Sequence, residues 1–168
     1  MQLGNFNQFN TFNQSSTSKS FSVGSTVLIS SRWTFIPSIG VNSVSTAGSG
    51  WIANTALSYL AEKSTFRATL ARAVSPSGLG DFQETDTLGL GYSSELNDKS
   101  SWGTDFNHSR SQSQFDSEAT QLSAFYSRQL STSWQMRLTA GYRSQKQTLF
   151  SANNNNFGIS LIYNIPQF

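Results

Sequence analysis

Apolar side chains recur at every second position along most of this chain. The clearest stretch sets Trp134, Met136, Leu138, Ala140 and Tyr142 against Gln135, Arg137, Thr139, Gly141 and Arg143. A period of two puts each set on its own face of an extended strand. The i, i+3, i+4 spacing of an amphipathic helix does not persist anywhere. Residues 3–13 fit least well, because Phe6, Phe9 and Phe12 recur every three residues, and we take them as a strand. Further along, Phe21, Val23, Val27 and Ile29 share a face, then Trp33, Phe35, Pro37, Ile39 and Val41. Pro37 lacks a backbone donor and is unfavourable within a sheet, but alternation continues on both sides of it. Trp51, Ala53, Leu57 and Tyr59 follow, then Phe66, Ala68 and Leu70, then Leu88, Leu90 and Tyr92. Trp102, Thr104 and Phe106 come next, then Leu122, Ala124 and Tyr126. After the stretch at 134–142, the last strand carries Phe157, Ile159, Leu161, Tyr163 and Ile165, with Ile162 the one apolar residue on its polar side.

This pattern predicts ten antiparallel strands over residues 1–168, with no helix and no internal domain boundary. Short connections are expected at Ser31 and at residues 62–64, 95–100 and 130–133. Longer ones are expected at 14–18, 43–50, 75–81, 109–117 and 145–156, the last containing the tract Asn153, Asn154, Asn155 and Asn156. Short and long connections thus alternate. An even strand number puts both termini on the short-turn side.

Composition changes what the strands are expected to face. Hydrophobic residues make up 36% of the chain, charged residues 12% and aromatic residues 13%. Soluble domains carry roughly 25% charge, and disordered chains are poor in aromatics. Ser, Thr, Asn, Gln and Gly fill the difference, as suits strands with lipid on one face and water or a polar plug on the other. No apolar run approaches the roughly 18 residues of a membrane helix. No basic segment leads into an apolar one at the N-terminus, so a secretory signal is expected to be absent or already removed. Aromatic positions agree with a lipid-facing sheet. Trp33, Tyr59, Tyr92, Trp102, Tyr126 and Trp134 each lie on the apolar face near a short turn, and Trp51, Tyr142 and Phe157 lie near long ones. A membrane interface favours such rings, which keep one end wet.

The last strand, ending on Phe168, resembles the closing strand of bacterial outer-membrane β-barrels. That likeness implies an antiparallel transmembrane barrel with short periplasmic turns and longer external loops. It implies outer-membrane lipid and the barrel assembly machinery as partners, with Phe168 as the assembly signal. Residues 72–80, from Arg72 through Ser75, Pro76 and Ser77 to Gly80, lead into the strand of Leu88, Leu90 and Tyr92. This unit is similar to strand–loop–strand units of large outer-membrane barrels linked to exopolysaccharide production and export. The likeness leaves open a chain that forms the C-terminal part of a longer barrel, with further strands or a partner protein completing it.

Candidate chemistry is sparse. Arg67, Asp105, Arg137 and Arg143 fall on polar faces and are expected to line the lumen. They would either attract anionic solutes or knit a plug of ion pairs. His108, the one histidine, precedes Ser109, Arg110 and Ser111 and resembles the His–Ser pair of the lipid A deacylase family, though the likeness ends just past that pair. With a serine and an acidic orienter it would make an outer-membrane lipid hydrolase using His108. The chain has no cysteine, and no paired metal ligands or nucleotide-binding fingerprint appear, so neither metal nor cofactor is expected. A net charge of +2 without a basic cluster excludes a nucleic-acid partner. The resulting expectation is an outer-membrane pore or export conduit. The alternatives are the hydrolase and a structural barrel that anchors or surrounds a partner.

Overall fold

In the computed structural model, residues 2–9, 15–45, 48–76, 82–112, 116–148 and 150–163 are described. Strands β1 (Gln2–Phe9), β2 (Ser15–Gly24), β3 (Val27–Leu28), β4 (Trp33–Val44), β5 (Gly48–Leu60) and β6 (Ser64–Pro76) come first. Then follow β7 (Phe82–Asn97), β8 (Ser100–Gln112), β9 (Ser117–Gln129), β10 (Trp134–Gln147) and β11 (Phe150–Tyr163). Ten of them form one antiparallel meander in sequence order, and the two-residue β3 pairs only with β4. The all-β, ten-stranded antiparallel expectation holds, although β1 and β11 are not hydrogen-bonded to each other, so the described sheet is not closed.

β2 and β3 are one strand interrupted opposite Pro37. Gly24 pairs with Ser38 and Val27 with Phe35, so the register continues across the gap. The residue facing Pro37 is Ser25, whose N–H donates to the Pro37 carbonyl at 3.1 Å. Pro37 can return no N–H, so the ladder breaks there. Ile29, expected within this strand, already belongs to the turn, where its N–H bonds the Trp33 carbonyl at 3.0 Å.

The short turns lie where expected, but strands take up many of the described residues of the expected long connections. β8 runs to Gln112 and β9 starts at Ser117, so most of the expected loop at 109–117 is strand. The larger correction concerns residues 145–156. β10 continues to Gln147, β11 begins at Phe150, and Asn153–Asn156 are paired with Ser144, Arg143, Tyr142 and Gly141. Backbone pairing is indifferent to side-chain polarity, so the strands continue past the point where hydrophobic alternation stops. Phe168 lies outside the described residues.

The sheet has little core. Among the described residues only Val44 (2% exposed) and Val74 (6%) are buried apolar side chains. They sit beside Asn42, whose side chain is also buried. Asn42 Oδ1 accepts from Ser18 Oγ at 2.8 Å, and its Nδ2 donates to the Val74 carbonyl. That bond joins β4 to β6 across the intervening β5, so the sheet curls toward the face bearing Asn42, which is the polar one. Gly50 makes the approach possible, because a Cβ there would lie 2.8 Å from Val74 Cγ2. Asn42→Ala is expected to strand the Val74 carbonyl and cost about 1–3 kcal/mol. Urea titration of the folded protein in detergent would measure it, and an unchanged midpoint would mean the bond does not hold the curl.

Candidate functional site

The two faces of this sheet are the functional surfaces, and the register sorts side chains between them. On the apolar face Trp33 opposes Tyr59, Tyr59 opposes Phe66, and Phe66 opposes Tyr92. Trp102 opposes Tyr126, and Trp134 opposes Tyr163. All six expected interface aromatics therefore share one face near the short-turn edge. Three contacts link neighbours: Trp33–Tyr59 at 4.6 Å between ring centroids, Tyr92–Trp102 at 5.3 Å and Trp134–Tyr163 at 5.0 Å. These tilted pairs suit the ring quadrupoles. Hydrophobic alternation did not single out Tyr163 as a girdle residue; only the register places it beside Trp134.

The apolar band steps down the ladder as it crosses the sheet. One hydrogen-bonded row runs Tyr59, Phe66, Tyr92, Thr104, Ala124, Ala140, Phe157. It starts at the turn-side edge of the band on β5 and ends at the loop-side edge on β11. On β11 the turn-side edge is Tyr163, six residues past Phe157, after six strand-to-strand steps. A slip of one residue, about 3.3 Å, for each strand spacing of about 4.8 Å corresponds to strands tilted by about 35° to the band. Closed barrels require a tilt of about this size.

The band faces outward uncovered. Phe157 is 86% exposed, Ile159 78% and Leu161 63%. No second layer of structure covers them among the described residues. Along its loop-side edge the same face turns abruptly charged, with Arg72, Asp86, Arg110, Glu118 and Lys146 on β6 to β10.

The four residues expected to face a lumen all lie on the polar face. Arg67 and Asp105 flank Gly91 in one row, bordering a groove of about 370 Å³ with Asn107 and Phe125. No ion pair joins Arg67 to Asp105 among the described residues. Arg137 stacks on Phe125, its guanidinium 4.4 Å from the ring centroid, and Phe125 in turn lies over Gly103, where a Cβ would meet the ring at 2.6 Å. Arg143 pairs with Gln121 and Asn154 in register and is exposed. Three cations against one carboxylate leave this set positive. At the turn end Ser127 is buried and accepts from Gln135 Nε2 at 2.7 Å.

His108 lies on the apolar face, opposite Leu88 and Thr120. Its Nδ1 is 2.9 Å from Thr120 Oγ1. Ser109 and Ser111 project to the opposite face, so neither forms the His–Ser pair that a hydrolase would need. Among the described residues no carboxylate hydrogen-bonds the ring. Comparison with protein families, characterised proteins and solved structures finds no match to this chain.

Two outcomes follow from these facings. Leu138→Arg is expected to cost about 2–4 kcal/mol in lipid, and Thr139→Arg on the polar face clearly less. Folding titrations in vesicles would compare them, and equal costs would mean the expected facing toward lipid is wrong. His108→Ala is expected to leave outer-leaflet lipid acylation unchanged when the protein is expressed in cells. Mass spectrometry of extracted lipid would detect a missing acyl chain that depends on His108, which would restore the hydrolase.

Proposed function

We propose that this chain is an integral outer-membrane β-barrel protein acting as a pore or export conduit. Its apolar face lies in lipid and its polar face lines the interior. The observation that carries the proposal is the inverted distribution of apolar surface. A water-soluble sheet of this size hides one face against a second layer. Here the continuous apolar face is exposed, and large exposed apolar patches mark membrane or protein contacts. The tilt of the band and its aromatic edge favour lipid. On β10 the band from Trp134 to Tyr142 spans eight residue steps, about 26 Å along the strand and, at a tilt of about 35°, about 22 Å in height. The apolar belt of outer-membrane barrels is about 25 Å tall.

Within lipid each unpaired backbone group would cost several kcal/mol. The free edges of β1 and β11 therefore pair in the membrane, with each other or with further strands. The positive set Arg67, Arg137 and Arg143 favours anionic solutes, consistent with export of acidic envelope polysaccharide. Planar-bilayer recordings of the refolded protein should show conductance with a preference for chloride over potassium. Arg137→Glu combined with Arg143→Glu should reverse that preference. A correctly inserted protein without conductance would instead favour a plugged, structural barrel.

A further inference from the structure

From β6 to β10 the polar face carries one aromatic side chain, Phe125, among small and polar neighbours. Gly103 lies directly opposite it on β8 and is buried. A Cβ on Gly103 would meet Phe125 Cε1 at 2.6 Å and Cζ at 2.9 Å, so the ring is seated on bare backbone. Arg137 lies diagonal to Phe125 across the ladder of β9 and β10, since Thr139 faces Phe125 and Arg137 faces Ser127. Its guanidinium rests 4.4 Å from the ring centroid.

The three arginines of this face are not equivalent. Arg67 stands across Gly91 from Asp105, and Asp105 Oδ1 comes within 3.0 Å of where a Gly91 Cβ would be. That carboxylate offsets its charge. Arg143 has no acid in register, but it lies six residues beyond Arg137 on β10, about 20 Å toward the loops. It stands past Tyr142, the end of the apolar band, where water and salt screen it. Arg137 lies inside the span of the band. It faces Ser127 and Ser160, with Gln135 and Thr139 beside it on its own strand, so no acid adjoins it. When the step of about one residue per strand is allowed for, Arg67, Asp105, Phe125 and Arg137 share one level to within about two residues.

We propose that Phe125 is a positioning residue for ion selection, holding the Arg137 guanidinium at this level and making Arg137 the main anion-selecting group of the conduit. The inference rests on the pore reading given above. An exposed arginine otherwise samples many rotamers. Stacking on a ring restricts it while leaving the guanidinium edge open to solutes. A passing anion then meets a fixed charge with no carboxylate beside it.

Planar-bilayer recordings of the full chain in potassium chloride gradients would read the chloride-to-potassium permeability ratio. Arg137→Gln should lower that ratio about threefold or more, and Arg143→Gln should lower it less. Phe125→Leu keeps an apolar side chain but no ring face. It should lower the ratio about twofold or more although no charge changes. In the Arg137→Gln background the same substitution should change nothing further, because the ring acts through the guanidinium. Arg137→Lys, which moves the charge to a flexible, strongly hydrated stem, should also lower the ratio and decides the matter if Phe125→Leu does not fold. Heat-modifiable migration would show which variants are folded. An unchanged ratio in Phe125→Leu or in Arg137→Lys would overturn the proposal. So would a Phe125→Leu effect that persists without Arg137, which would leave the ring as cover for Gly103 alone. An Arg143→Gln effect as large as that of Arg137→Gln would place selection at the mouth and overturn it too. Wild type that inserts without conducting would overturn the pore reading itself; conducting wild type with any of these results would overturn only the positioning role.

Discussion

Cross-strand hydrogen bonding in a fixed register replaces the core that holds most proteins of this size. Apart from Val44 and Val74, the apolar side chains of the described residues point outward or lie half-exposed. Burial in water therefore contributes little to holding the strands together. The ladder instead satisfies donors and acceptors strand by strand, and it continues through segments such as Asn153–Asn156 that offer nothing to pack. It breaks between β2 and β3, opposite Pro37, the residue that cannot donate.

Register then determines what each surface can do. A slip of one residue would exchange the faces, placing Arg137 and Arg143 where Leu138 and Tyr142 stand. A slip of two residues would keep the faces but separate Arg110 from Glu118 and Glu118 from Lys146. Hydrophobic alternation guards against the first slip, and the alternating charges guard against the second, since opposite charges directly across a strand pair are favourable and like charges are not.

The polar face combines small and charged residues. Gly50 admits Val74 where the sheet curls, and Gly103 admits the Phe125 ring, which in turn supports the Arg137 guanidinium. Glycine is poor in strands in general, but at these two positions it lets a bulky neighbour lie close to the backbone. The result is a positive surface on the side toward which the sheet curls at β4 to β6.

The residues themselves determined the class of this protein, its strand number and its faces. Alternation is local, so Trp134 to Tyr142 announces its own strand without reference to any neighbour. The faces of Arg67, Asp105, Arg137 and Arg143 and of the six aromatics were legible for the same reason. Strand ends were not. The expected loops at 109–117 and 145–156 were drawn where alternation stopped, yet hydrogen bonding there depends on the partner strand and not on side-chain polarity. Relations between strands were equally hidden. The charged row, the row of Thr104, Ala124 and Ala140, and the pairing of Trp134 with Tyr163 join residues on different strands, and only the register brings them together. His108 was singled out as a chemical oddity, but its facing put Thr120, rather than a serine, beside it. Local periodicity fixes which way a side chain points; which side chain it meets is decided by pairing across the sheet.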